Sequence, residues 1–192
     1  LIIISFFSII PIILILFIFQ SCAPLIGTVG MVSLGAASKE KGLGTTIGDN
    51  LIKAKISNLV FKKDPALIAE TNIFVNNGSV LFTGKVKITE DKIDFTKIAW
   101  SIRGVSEVNN EIQVTDTSNL KNIARDLASM GEIRARLMSD KSINSINFSI
   151  DVVNDVAYLS GIASGKEEMI LVKNHATTAR FIKEVYNYII LN

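Results

Sequence analysis

The sequence has a single cysteine and a single histidine among its 192 residues. One cysteine cannot form an internal disulfide, and no Cys/His cluster is present to bind zinc. The 20 Lys and Arg residues are nearly balanced by 18 Asp and Glu residues, so the chain lacks the concentrated positive charge of a nucleic-acid-binding protein. Three prolines and 12 glycines are too few for a low-complexity chain. These counts argue against a disulfide scaffold, a zinc site and a nucleic-acid partner.

Charge is also absent from the beginning of the chain. No charged residue precedes Lys39, and residues 1–19 are apolar apart from two serines and one proline. A helix of about 19 apolar residues is just long enough to cross a bilayer, and a secretory signal peptide has a similar but shorter apolar core. Length alone therefore leaves open a cleaved signal peptide, an uncleaved transmembrane helix, or a translation start at Met31 that removes the segment.

The rest of the chain contains an internal repeat. Several segments recur at one offset of 77 residues, and such agreement indicates a duplicated unit. We predict two copies, at residues 49–115 and 120–192. The matching segments are 80–84 with 157–161, 104–112 with 181–189 and, after a small gap, 52–56 with 133–137.

Each copy is predicted to fold in the order α-β-β-α-β. Asp49 is placed at the N-cap of the first helix, and Asn77-Gly78 favours a tight hairpin turn between alternating strands. The predicted fold class is α+β, with two helices packed on a three-stranded mixed sheet in each copy. Trp100 is assigned to the core of the first copy. His175 is assigned to a helix of the second copy, without a partner.

Two motifs carry a resemblance to known families. The repeated α-β-β-α-β unit, with its Asn-Gly hairpin, a second strand ending in glycine and Glu-Val-x-Asn-x-Ile in the last strand, resembles a BON domain. Phe19-Gln20-Ser21-Cys22 resembles the lipobox of bacterial lipoprotein signal peptides, with Phe19 where leucine is usual. In this order the motifs resemble the DolP-like family of dual BON-domain outer-membrane lipoproteins.

The resemblance implies how the chain is anchored. Residues 1–21 would be a signal peptide of the lipoprotein type, and residues 22–48 would be a Gly/Ala-rich tether. Cys22 would carry a thioether-linked diacylglycerol and, on its amino group, an acyl chain such as palmitate; no other cofactor is expected. Ala23 after the cysteine favours the outer membrane over the inner one. We also expect a Met and a basic residue upstream of Leu1.

The resemblance further implies a membrane contact in the second copy, because the first helix of the second BON domain contacts phospholipid in this family. That helix is predicted to begin within residues 120–125 and to run to about Ser139, with Ile133 and Leu137 in the core. The exposed tryptophan of the family is absent here, so we expect weaker binding. The predicted membrane-binding residues are Leu127, Met130, Arg134, Arg136 and Lys141.

The expected function follows from these implications. The chain would be a non-enzymatic, periplasm-facing lipoprotein that supports outer-membrane integrity and binds anionic phospholipid through its second BON domain, with envelope proteins as further partners. The alternative is a BON-type module for a small ligand, an ion or an envelope protein, since a related BON-containing family binds potassium. An enzyme is disfavoured because the sequence shows no Ser/His/Asp set, no activated cysteine and no metal motif. The oligomeric state stays open.

Overall fold

The computed structural model describes residues 43–115 and 120–192. The predicted signal peptide, Cys22 and most of the predicted tether lie outside the described residues. The described residues belong to one compact unit, which spans Leu34–Asn192. None of the helices in this part of the chain combines the length and the apolar character needed to span a bilayer.

The first copy is a helix layer packed on one face of a mixed sheet. Strand β1 pairs antiparallel with β2, and β3 and β4 follow each other along the opposite edge of β2, parallel to it. The Asp64 carboxylate caps the additional short helix α2, which the sequence analysis did not predict. The elements are α1 (Leu43–Lys63), α2 (Pro65–Glu70), β1 (Thr71–Asn76), β2 (Ser79–Val86), α3 (Thr89–Trp100), β3 (Glu107–Asn110) and β4 (Gln113–Val114).

The second copy repeats this plan. Strand β5 pairs antiparallel with β6, and β7 pairs parallel with β6 along its whole length. The predicted α+β class and the α-β-β-α-β order are therefore confirmed. The elements are α4 (Leu120–Ser139), a 3₁₀ turn (Ser145–Asn147), β5 (Phe148–Val153), β6 (Val156–Ala163), α5 (Lys166–Thr177) and β7 (Glu184–Leu191).

Each copy has its own hydrophobic core between its helices and its sheet. In the first copy Ile56, Phe82 and Phe95 are buried, and the two phenylalanine rings meet edge to face at 5.1 Å. Trp100 is 55% exposed, so its assignment to the core was wrong. Phe95 and Ala99 point to the sheet, and Trp100 lies on the solvent side of α3.

A buried carboxylate joins the first helix of each copy to the hairpin of that copy. Asp49 lies within α1, so its prediction as an N-cap was wrong. Its carboxylate accepts the backbone N–H groups of Asn77 at 2.9 Å and of Gly78 at 3.0 Å, at the tip of the hairpin. The turn amides have no strand partner there, and Asp49 satisfies them.

Asp126 makes the same connection in the second copy. It accepts the N–H groups of Asn154 and Asp155, each at 2.9 Å. Asp126 follows Asp49 by 77 residues, and the fully buried Ile133 follows Ile56 by the same interval. The offset of 77 therefore holds through the first helix, and the gapped match of residues 52–56 with 133–137 was one helical turn out of register.

Gly84 in β2 and Gly161 in β6 are glycines for a steric reason. Gly84 has φ +107°, and a Cβ there would lie 2.3 Å from the carbonyl oxygen of Glu70. At Gly161 a Cβ would lie 2.2 Å from the carbonyl oxygen of Asn147. Only glycine allows the neighbouring edge strand to start this close. Both glycines lie inside their strands, two residues before the end, so the expectation of a strand ending in glycine was wrong. The close contact accounts for the glycine itself, which helped to reveal the repeat.

The two copies pack sheet against sheet. Leu81 of β2 forms a buried cluster with Val153 of β5 and Tyr158 of β6, and Phe74 and Tyr188 pack around it. Strand residues alternate between faces, and the neighbours of Leu81 in β2 belong to the core of the first copy. The cluster therefore covers the face of each sheet that has no helices.

Polar side chains complete this interface. The buried Asp151 carboxylate accepts hydrogen bonds from Asn72 Nδ2, at 3.1 Å, and from the hydroxyl of Thr83. Asn76 Nδ2 donates to Ser160 Oγ at 2.7 Å. These hydrogen bonds require a defined alignment of the two sheets, so the copies are held in one relative position.

We predict that Asp126→Ala lowers the free energy of unfolding by about 1–3 kcal/mol, because two hairpin amides lose their acceptor. Urea unfolding at neutral pH measures the change. Glu167→Ala, at an exposed carboxylate of the same copy, serves as the control and should be nearly neutral. Equal effects of the two substitutions would contradict the assigned role of Asp126.

We predict that Leu81→Lys uncouples the two copies, since it places a charge in the apolar cluster between the sheets. Calorimetry should resolve two thermal transitions where the unsubstituted protein shows one. Ile88→Lys, at an exposed position of the first copy, should leave a single transition. A single unshifted transition for Leu81→Lys would show that the interface adds nothing to cooperativity.

Candidate functional site

Helix α4 carries an exposed apolar stripe along one side. Leu120 is 83% exposed, Leu127 57% and Met138 77%. Residues 7, 11 and 18 positions apart lie on one side of a helix, so these three side chains form a line. Ile123 and Arg134 lie on the same side. We call Leu120, Ile123, Leu127, Arg134 and Met138 the α4 stripe.

Beside the α4 stripe, the outward face of the helix has almost no side-chain bulk. Four exposed small residues follow one another there, and a Cβ built on Gly131 would meet no heavy atom within 4 Å. A flat surface can therefore approach the backbone of α4 closely. The four residues are Ala124, Ala128, Gly131 and Ala135.

A groove of about 520 Å³ runs between α4 and the first copy. Leu127, Met130 and Val152 supply apolar walls from the second copy, and Lys85 and Lys87 line it from the first. Three carboxylates also line the groove, those of Glu70, Asp126 and Asp151. Neither lysine has an ion-pair partner within the described residues. The groove exists only because the two sheets pack together, so it brings residues of both copies to one site.

The five predicted membrane-binding residues do not form one surface. Leu127 and Met130 lie together in the groove, and Arg134 lies on the same flank, where its guanidinium donates to the carbonyl of Ile150 at 3.1 Å. The structure thus brings three of the five together. Arg136 lies elsewhere, and Lys141 is exposed beyond the end of α4.

Arg136 lies on the opposite flank of α4, facing α5. Its guanidinium donates to Thr178 Oγ1 at 2.8 Å and forms an ion pair with Glu132 at 2.5 Å. A third, longer contact reaches the backbone carbonyl of His175 at 3.4 Å. These contacts hold Arg136 between α4 and the end of α5, so its role in membrane binding stays a prediction.

His175 has a partner, in contrast to the expectation from the sequence. Its Nε2 lies 2.9 Å from Asp140 Oδ2. The contact with His175 and the backbone N–H of Ser142 lower the pKa of Asp140 below its ordinary value of 3.8. The pair fixes the end of α4 against α5, next to Lys141.

Sequence reasoning missed most of the α4 stripe. Leu120, Ile123 and Met138 were not selected, although their spacing matches that of Leu127. The repeat offered a signal, because the core positions Ile133 and Leu137 define the buried side of the helix and leave the stripe outside it. Lys85 and Lys87 were missed because nothing in the sequence indicated that the sheets face each other.

The described residues show no arrangement for a metal centre. No group of three or more His, Cys, Asp and Glu side chains within residues 43–115 and 120–192 could hold a metal ion. The α4 stripe offers an exposed apolar surface with the basic Arg134 in it, which suits an amphipathic partner with negative charge. The groove beside it is mixed, with Lys85 and Lys87 next to the carboxylate of Glu70.

Comparison with known proteins gives two matches to one family model. Residues 48–116 and 130–192 each match the BON domain.

Individual relatives match most of the chain. The chain is 34% identical over 144 residues to a protein from the gshII 5′ region of Anaplasma centrale, covering 74% of this chain and 94% of that protein. It is 28% identical over 144 residues to the outer membrane lipoprotein DolP of Haemophilus influenzae, covering 74% of each. Osmotically-inducible protein Y of Escherichia coli is 23% identical over 147 residues, covering 76% of this chain and 73% of that protein.

The Asp140–His175 pair generates a prediction on pH. Because the pKa of Asp140 is lowered in the folded state, the pair contributes stability above pH 3.8, and this contribution is lost as the pH falls through the lowered pKa. His175→Ala should therefore raise the pKa of Asp140 toward 3.8, as measured by carboxyl-carbon NMR titration.

Asp94 provides the internal control for that titration. Lys63 and Lys97 lower its pKa independently of His175, so its titration should not move. An unchanged pKa of Asp140 in His175→Ala would show that the histidine contact does not stabilise the carboxylate.

Proposed function

The chain belongs to the BON domain family, and from that premise we propose that it is a non-enzymatic protein of the bacterial envelope that faces the periplasm and supports outer-membrane integrity. The two family matches confirm the dual BON-domain family predicted from the repeat. A relative named as an outer membrane lipoprotein supports the proposed location. The described residues offer an exposed apolar interaction surface on α4.

The anchor is proposed to be the lipid on Cys22. The lipobox-like sequence that ends at this residue supports it, as does the lipoprotein relative. A single acyl chain binds a membrane only weakly, whereas two or more chains hold a protein there durably. A triacylated Cys22 would keep the BON domains close to the membrane surface. The high effective concentration there would allow even weak lipid contacts to form.

The partner of the second BON domain is proposed to be anionic phospholipid, bound by the α4 stripe. The observation that carries this proposal is the line of exposed Leu120, Leu127 and Met138 with Arg134 among them. Apolar side chains that enter the boundary between headgroups and acyl chains gain about 25 cal/mol per Å² buried. A basic residue near an anionic surface adds about 1 kcal/mol. The bare Ala/Gly face lets the helix lie flat against the lipid.

The groove between the copies supports a second candidate, a module for a small ligand or an envelope protein. Lys85 and Lys87 face apolar walls there, and a concave site of this size is in the range that small molecules occupy. Such a ligand would carry an apolar part and a polar end that contacts Lys85 or Lys87 beside the carboxylate of Glu70. It would be bound in the absence of any membrane, which distinguishes this candidate from the first.

Co-sedimentation with vesicles tests the proposal. We use residues 34–192, the compact unit that contains both cores and lacks Cys22. The protein should sediment with vesicles containing phosphatidylglycerol and remain in solution with pure phosphatidylcholine. High salt should weaken the binding, because headgroup attraction is screened.

Matched substitutions locate the contact. Leu127→Glu should weaken binding to anionic vesicles by about tenfold. Ile170→Glu changes a side chain of nearly equal exposure, 56% against 57%, on α5 of the same copy and should have little effect. Arg134→Glu and the exposed Lys173→Glu form a second such pair. Equal losses within both pairs, or no binding by the unsubstituted protein, would refute membrane binding by the α4 stripe.

A further inference from the structure

The two copies differ at one end, where the hairpin meets the segment that leads into the last strand. In the first copy three positions at this end are glycine: Gly48, Gly78 and Gly104. The residues 77 positions later are Arg125, Asp155 and Phe181. These three backbone positions therefore carry no side chains in the first copy and large or charged side chains in the second.

The added side chains contact each other. Asp155 pairs with Arg125 and with Lys183, each at 2.9 Å. The Arg125 guanidinium lies 4.9 Å from the centre of the Phe181 ring, and that of Arg180 lies 6.0 Å from it. Both distances suit a cation–π interaction. We call these five residues the Phe181 cluster.

The backbone of Phe181 is strained. Its φ is +66°, in the left-handed region, where Gly104 of the first copy has φ +101°. A bulky aromatic residue is a rare outlier there, and such outliers concentrate at functional sites. Burial does not account for this one, because the Phe181 side chain is 42% exposed and is not part of the core of the second copy.

The Phe181 cluster combines an exposed ring with an excess of positive charge. Arg125 and Lys183 pair with Asp155, Arg180 adds a third cation, and the neighbouring Asp126 carboxylate accepts the N–H groups of the hairpin. Glu132 accepts the backbone N–H of Arg180 but pairs its charge with Arg136. The Arg180 guanidinium has no carboxylate partner within residues 43–115 and 120–192.

We propose that the Phe181 cluster is a second membrane contact of this chain, in which the ring enters the headgroup region and Arg180 and Arg125 bind the phosphates of anionic phospholipid. The proposal rests on the proposed membrane-facing function but uses different residues. A stable protein interface needs a wide apolar centre. A single ring among cations is enough for a membrane contact that assists an existing anchor.

The position of Arg125 explains how both contacts serve one surface. Arg125 and Leu127 are two residues apart on α4, so they lie on opposite flanks of the helix. The exposed Ala124, Ala128 and Gly131 lie on the face between those flanks. A membrane laid against this face meets the α4 stripe on one side and the Phe181 cluster on the other. Helix α4 would then lie parallel to the bilayer.

Single-tryptophan proteins test this arrangement. Trp100 is the chain's only tryptophan and is exposed, so Trp100→Phe gives a silent background with little structural cost. Into residues 34–192 with that change we introduce Phe181→Trp, Leu127→Trp or, as the control on α5, Ile170→Trp. With phosphatidylglycerol vesicles, the emission at positions 181 and 127 should shift to the blue, and that at position 170 should stay unchanged.

The outcomes separate the two proposals. A shift at position 127 without one at 181 overturns the Phe181 contact and leaves the α4 stripe as the membrane contact. A shift at 181 alone supports the Phe181 contact and overturns the α4 stripe. The absence of any shift overturns both. An equal shift at the control position 170 shows unspecific adsorption and also overturns both.

Phe181→Gly provides a second measurement that does not depend on a reporter. Glycine suits the left-handed backbone, as at Gly104, so the melting temperature should stay the same or rise. Binding to anionic vesicles should weaken by about three- to tenfold. A lowered melting temperature with unchanged binding would assign Phe181 a structural role and overturn the proposal.

Discussion

A small sheet with helices on one face exposes its other face to water, and the structure of this chain depends on how that second face is covered. Here each copy covers the other. Leu81, Val153 and Tyr158 form the apolar centre of the contact, and Asp151 accepts side-chain hydrogen bonds across it. A unit of this size buries only a modest core of its own. Packing the copies together enlarges the buried area without a larger fold.

The same contact determines what α4 can do. It places one flank of the helix beside the first copy, where Leu127 and Met130 form a groove with Lys85. The other flank packs toward α5 through Arg136 and Thr178. The outward side stays uncovered, and it combines a face of small residues with the exposed Leu120 and Met138 of the α4 stripe beside it. A helix held on both flanks, with a smooth face between them, is a rigid platform for a flat partner.

The sequence was sufficient for the fold but only partly for the site. The 77-residue offset and the recurring Gly84 and Gly161 predicted the duplicated α+β unit, because local periodicity and steric requirements are visible directly in the sequence. Asp126 and Arg136 were not predictable in their actual roles. Their partners, the hairpin amides and Thr178, lie 28 to 42 residues away and become neighbours only after folding. The assignment of Trp100 to the core was wrong for a related reason, since the residue type alone does not show which side of a helix an apolar residue occupies.

Comparison of the two copies also distinguishes the residues that the fold requires from those that it does not require. The buried carboxylate and the core isoleucine recur at the same positions, as Asp49 with Asp126 and Ile56 with Ile133, because both copies need them to fold. The surface recurs only in part. The exposed Phe61 corresponds to Met138, whereas Asn50 and Ser57 correspond to Leu127 and Arg134, and Gly104 corresponds to Phe181. A left-handed phenylalanine weakens the copy that contains it. Since the first copy shows that the fold is complete with glycine at position 104 and with a polar residue at position 50, the strained Phe181 and the exposed Leu127 are better explained by binding than by folding.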